Sequence, residues 1–214
     1  NRLNRDGMTG VRHPRETPAL PTSDTRSWRQ RLAAYQQPSA GRSILEIVIT
    51  AAPLAAIWGA AWAAAHFGLW WLALLLAVPA ALFLVRLFMV QHDCSHRAFF
   101  RNRHANDWIG RVIGVLTLTP YDCWRQTHAI HHATSGDLDR RGLGDILTLT
   151  VDEYRALPLW RRIGYRLYRH PLVLFGIGPA YVFLLEQRLP SGLMRGGWRP
   201  WLSAMGTNLA IAAF

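Results

Sequence analysis

Five histidines between His92 and His132 are the side chains in this chain best placed to do chemistry. They fall in two clusters, His92-Asp93-Cys94-Ser95-His96 and His128-Ala129-Ile130-His131-His132, with 31 residues between them. On a helix, His92 and His96 are i and i+4, and His128 stands i+3 and i+4 from His131 and His132. Each cluster can therefore aim its imidazoles in one direction. Imidazole suits iron, zinc, copper and nickel, so ligand type alone does not choose the metal. Zinc sites normally close with about four ligands, which leaves one histidine too many for a single zinc. The metallopeptidase pattern His-Glu-x-x-His is absent, and with it the hydrolytic glutamate. A site larger than mononuclear points to two metals, and to iron if oxygen is activated. His13, His66, His104 and His170 stand alone and read as packed or surface residues.

The elements that must position these clusters are apolar. Half the residues are hydrophobic and ten are Trp, but the hydrophobicity is concentrated, and its two uncharged runs favour membrane spans over a soluble core. Residues 44 to about 65 form a first candidate span, and Leu69 to Val90 a second, with Arg86 near its far end. His66, Phe67 and Gly68 make a turn short enough to imply an antiparallel hairpin. Pro53 and Pro79 would kink the two helices, which membrane bundles tolerate. The net charge of +11 comes entirely from Arg. These residues flank apolar segments and form no dedicated basic domain, so membrane topology explains them better than nucleic acid does. Eight Arg lie in 1–42, none in 66–68 and thirteen in 86–170. By the positive-inside rule the N-terminal arm and the histidine clusters share the cytosolic face.

Trp108 to Pro120, between the clusters, is too short to cross a bilayer, and crossing would separate the clusters. An interfacial or re-entrant helix is expected there. Residues 151 to 169 read as a basic amphipathic helix on the membrane surface, broken at Pro158. Pro171 to Glu186 is a third, shorter span candidate, and the apolar run from Trp201 opens a fourth. Residues 1–42 read as a polar, partly disordered cytosolic arm with a short helix around Ser27 to Tyr35; 43–214 form the domain proper. Both ends read as cut, since the chain starts at Asn1 and stops inside an apolar run. Cys94 and Cys123 are too few for a disulfide framework and read as small packed residues. The fold class expected is all-α: a polytopic membrane protein with two transmembrane hairpins, the second truncated, and a cytosolic histidine region.

His92-x-x-x-His96 followed by His128-x-x-His131-His132, after a membrane hairpin, resembles the membrane-bound fatty acid desaturases. The resemblance is to the bacterial acyl-lipid, omega-6 (delta-12) type. It runs through His92–Phe100, Leu116–Arg125, Thr127–Gly136, Leu138–Asp145 and Thr148–Tyr154, and covers roughly residues 44 to 214. Ser95 and Arg97 stand where that family commonly has glycine. The resemblance implies a non-haem di-iron centre, with His92, His96, His128, His131 and His132 as the iron ligands present. It also implies a third His-x-x-His-His box, which this chain does not contain. The reaction implied uses O2 and two electrons to place a cis double bond in an acyl lipid or thioester. Ferredoxin or a cytochrome b5 system would be the electron donor, and the bacterial inner membrane the location.

Carboxylates usually orient such imidazoles through the second ring nitrogen. Asp93, Asp139 and Asp145, with Asp137 beside them, are candidates for that role, and Trp124 and Arg125 for the substrate entrance. Two alternatives stay open. A related di-iron hydroxylase or carotenoid ketolase shares the boxes, and a metal-binding or transport protein would more usually place its ligands at the bilayer midplane.

Overall fold

The computed structural model describes residues 28, 30–33, 35, 37–142 and 144–213. The chain divides into two compact units, 1–37 and 38–214. In the first, residues 28 and 30–33 are helical and Tyr35 lies in a turn. Of the partly disordered arm expected over 1–42, residues 1–27 lie outside the described residues, and His13 with them.

The second unit is all-helical, with no strand among the described residues. Helix α1 (Ala40–His66) and helix α2 (Trp70–Ser95) form the hairpin. Both are long and apolar enough to cross a membrane. Their outward side chains, among them Val48, Ile49, Leu74, Leu75, Val78, Leu82 and Val85, are exposed. A buried core helix would cover such residues with protein, so a bilayer is the solvent this surface fits. Trp62, Phe67, Trp70 and Trp71 cluster at the hairpin turn, where amphipathic rings favour the headgroup level. At the other end Arg86 pairs with Glu46 at 2.7 Å and donates to Thr50 Oγ1 at 3.0 Å, tying the two helices together.

Helix length explains where the first histidine cluster emerges. About 20 residues cross the hydrocarbon, so a span beginning at Trp70 is used up near Met89. The remaining turns of α2 carry His92 past the apolar layer.

Helix α3 (Arg103–Leu116) starts at Asn102, whose side chain accepts the amides of His104 and Ala105. Its 14 residues reach about 21 Å at 1.5 Å per residue, too short to cross. Buried Asn106 fastens the linker before α3: its amide nitrogen donates to Phe100 O, and its oxygen accepts from Phe100 N at 2.9 Å. Helix α4 (Tyr121–Thr134) packs beside α3, and Arg111 grips Asp122 with two hydrogen bonds of 2.8 and 3.2 Å. The core joins Leu54, Leu87, Val90, Cys94, Phe99, Ile113 and Tyr121.

Helices α5 (Val151–Ala156) and α6 (Leu159–Tyr168) follow, separated at Pro158. Residues 171–184 are helical throughout, as a π turn at Val173–Ile177 leading into α7 (Gly178–Leu184). Helix α8 (Trp198–Ala213) packs on α3 and α4. The stretch expected as a third span is therefore helical but compact. At about 21 Å it is shorter than the ~30 Å hydrocarbon layer. Among the described residues only α1 and α2 have the length and apolarity to cross. The physical reason is local: Leu185 breaks the helix and Glu186–Arg188 continue as a 3-10 turn. There Arg188 donates to Leu118 O and, at 2.9 Å, to Asn208 Oδ1 on α8.

Candidate metal centre

Four imidazoles converge where α2 ends and α4 passes it. One ring nitrogen each of His92, His96, His128 and His132 lies within 4.8 Å of the others. His96 Nε2 is 3.3 Å from His92 Nε2 and 3.1 Å from His128 Nε2, which in turn is 3.1 Å from His132 Nε2. A metal–imidazole bond of about 2.1 Å puts two ligand nitrogens about 3.0 Å apart at a right angle and about 3.4 Å apart at a tetrahedral one. The observed separations are those of a coordination polyhedron's edges, so the residues fit a metal.

Local electrostatics keep the donors available. The His128 imidazolium is disfavoured, its pKa pulled down to about 4, first by burial and then by His92, His132, His96 and His131. His96 is lowered by burial and by His92 and His132. Neutral rings present lone pairs where protonated ones would repel a cation.

Two of the proposed carboxylates stand at the second ring nitrogens. His131 Nδ1 is 2.5 Å from Asp145 Oδ1, and His92 Nδ1 is 3.2 Å from Asp93 Oδ1. Gly144 (φ +78°) makes the Asp145 contact possible, because a Cβ there would lie 3.2 Å from His131 Cβ in a conformation L residues avoid. Asp139 is exposed, and its amide donates to Asp137 Oδ1 in a turn after α4. Neither Asp137 nor Asp139 hydrogen-bonds an imidazole among the described residues. His131 itself stands outside the group of four, 6.0 Å from His128 between ring centroids.

Trp124 stacks on His128 at 4.5 Å and 12°, one helical turn earlier on α4. It also meets Phe88 of α2 edge-on at 5.1 Å, and Phe88 meets Phe183 of α7 at 5.9 Å. Trp124, His128 and His131 wall a cleft of about 780 Å³, which Val173, Leu174, Val182 and Phe183 continue as an apolar groove toward Glu186. Arg125 points elsewhere. It is one residue from Trp124, hence about 100° around α4, and lies over the Tyr121 ring at 6.0 Å, away from the cleft. Phe183 and the π turn were not legible as site residues, because only packing brings them to the cleft, where Phe88 backs Trp124 and Phe183.

The helix ends beside the site explain Arg97. Arg97 N donates to Cys94 O and Ala98 N to Asp93 O, closing α2 with Arg97 in the left-handed region at φ 57°. That is where glycine is usual. Left-handed strain of roughly 1–2 kcal/mol, less the roughly 0.5–1 kcal/mol that a glycine's freedom costs, predicts that Arg97→Gly stabilises the protein by about 0.5–1 kcal/mol. A thermal melt in detergent should move upward by a few degrees; an unchanged or lower midpoint counts against this account.

The fatty acid desaturase family profile matches residues 69–214. A "Fatty acid desaturase" from Bacillus subtilis is 42% identical over 184 residues, 86% of this chain and 51% of that protein. An "sn-1 acyl-lipid omega-3 desaturase (ferredoxin)" from Synechocystis is 32% identical over 133 residues, 60% of this chain and 35% of its own. An "sn-1 oleoyl-lipid 12-desaturase" from Arthrospira platensis is 28% identical over 114 residues, 48% of this chain and 32% of its own. The chain spans about half the length, or less, of these curated relatives. No solved structure matches it. Converging imidazoles at the end of an apolar hairpin and a profile match over most of its length lead to one conclusion: the chain belongs to the fatty acid desaturase family.

Proposed function

We propose that the protein carrying this chain is an O2-dependent desaturase that places a cis double bond in a fatty acyl chain of a membrane lipid or thioester. The observation that carries this reading is the four-imidazole cluster, one of whose members, His128, walls the cleft with Trp124. On this reading the four clustered imidazoles of His92, His96, His128 and His132, joined by His131 beside them, hold two non-haem irons, with domain 43–214 as the seat of the reaction and 1–42 as its arm. A C–H bond in the middle of an alkyl tail offers no handle to an acid or base, so a bound iron pair working on O2 supplies the oxidising power.

The protein's own residues bind and orient. The cleft's volume lies within the about 300–1,000 Å³ of ligand sites, and its apolar walls suit an acyl chain laid past Trp124. Asp145 and Asp93 fix the tautomers of His131 and His92 so that the other nitrogen faces the metal. Asp145→Asn keeps the shape but loses the charge, and the expected result is a 10–100-fold weaker iron affinity. Iron titration of the purified variant checks this; unchanged affinity excludes Asp145 from the role.

An acyl lipid of the omega-6 (delta-12) type is the finer reading, supported by relatives named as oleoyl-lipid 12-desaturases. Ferredoxin is the donor favoured by the name of the Synechocystis relative, with a cytochrome b5 system as the alternative. The arginine distribution favours the inner membrane, histidines on the cytosolic side. The test expresses the complete gene in a host lacking polyunsaturated lipids and resolves fatty acid methyl esters by gas chromatography. A new cis double bond is expected. A hydroxylated product without one overturns the proposal.

A further inference from the structure

Helix α6 has two unlike faces that the metal cluster does not explain. Leu159, Trp160, Ile163 and Leu167 are all at least half exposed, and helical spacing gathers them in a sector of about 100°. No acidic residue occurs from Tyr154 to Leu185, whereas Arg155, Arg161, Arg162, Arg166 and Arg169 do. None of these five forms an ion pair among the described residues. The other face is occupied. Tyr165 Oη accepts the amide of Leu149 and Tyr168 Oη that of Leu147, each at 3.2 Å. Those amides belong to the strap that follows Gly144, and its Asp145 meets His131 Nδ1. The strap's far end is anchored separately. Arg141 binds Thr148 O and Glu153, holding the Glu153 carboxyl down to about 2.

We propose that α6 docks on a bilayer surface bearing anionic phospholipid headgroups, and that Tyr165 and Tyr168 transmit this seating to the strap that aims His131. An exposed apolar sector bordered by arginines matches the boundary between headgroups and acyl chains. An acidic protein would pair with the charge but leave Leu159, Ile163 and Leu167 without a partner. Both tyrosines act through Asp145 and are positioning residues. The inference rests on reading the histidines as a metal site.

The test uses the protein from its complete gene in nanodiscs of phosphatidylcholine, with or without one third phosphatidylglycerol. Two quantities are read: Fe(II) affinity by titration, and hydrogen exchange at Leu147 and Leu149 in the metal-free protein. The expected result is Fe(II) affinity about 10-fold higher in anionic discs, at the low end of what orienting partners contribute, with slower exchange at both amides. Tyr165→Phe/Tyr168→Phe keeps the rings and should abolish both responses. Arg161→Gln/Arg166→Gln keeps the tyrosines and should weaken both. Equal exchange and affinity in the two lipids overturns the docking and turns the basic face toward an acidic protein. A tyrosine variant that still responds to lipid overturns the positioning role. Failure to bind Fe(II) in either lipid overturns the metal reading instead, and the exchange arm still decides the docking.

Discussion

His128→Ala should empty the metal centre and abolish turnover in the protein made from the complete gene, while leaving it folded. His128 is the hub of the cluster, with His96 Nε2 and His132 Nε2 each 3.1 Å from its own Nε2. Losing an imidazole that touches the metal should cost more than the 10–100-fold in affinity that loss of an orienting carboxylate costs. The fold should survive, because the ring is only half-buried and crowded by imidazoles; burial first, and those neighbours second, hold its pKa down to about 4. Removing it relieves that crowding, and the chief sacrifice is its stacking on Trp124. Iron content and fatty acid products should both fall to background, with a melting midpoint within a few degrees of wild type. His104→Ala is the control: His104 is exposed and outside the cluster, so iron content should not change. Full iron loading in His128→Ala would remove this residue from the metal site.

The second large effect is expected where α3 meets α4. At Gly110 of α3 an added Cβ would overlap the Cε2, Cζ and Cδ2 atoms of Tyr121, the first residue of α4. Two effects compete in Gly110→Ala. Alanine gains up to about 1 kcal/mol in helix propensity. Overpacking a filled core costs typically about 1–3 kcal/mol, and Tyr121 is 1% exposed, so the ring has nowhere to turn. Overpacking wins, and α4 must move away from α3, carrying His128, His131 and His132 with it. A lower melting midpoint together with weaker iron binding is expected. Pairing it with Tyr121→Leu makes room and should recover part of the loss, a coupling that a double-mutant cycle measures. If Gly110→Ala melts with wild type, the close approach does not set the α3–α4 distance.

Much of the site was legible because its signals are local. Helical spacing put each histidine cluster on one face before any fold was known, and His92 and His96 do share the end of α2 with their nitrogens 3.3 Å apart. Asp145 lies thirteen residues beyond His132, and its pairing with His131 needed the strap to fold back through Gly144. Asp139 and Arg125 are also close to the histidines in sequence. An exposed turn takes the first away from the histidines, and 100° of helix takes the second to Tyr121. The expected third span met a different obstacle. Hydropathy counts apolar residues, but a π turn and the break at Leu185 decide how far 171–184 reaches.

By itself the sequence determined the periodic features: two long apolar helices, a tight turn between them, two histidine faces, and arginines that flank the apolar segments. These depend on neighbours a few residues apart, and the 3.6-residue repeat carries them. Only the tertiary structure decided which remote residues meet. It brought His96 to His128, laid Trp124 between the imidazoles and Phe88, opened the cleft against Phe183, and hung the Asp145 strap on Tyr165 and Tyr168. Those meetings arise from close packing of side chains far apart in sequence, and no repeat in the sequence encodes their partners.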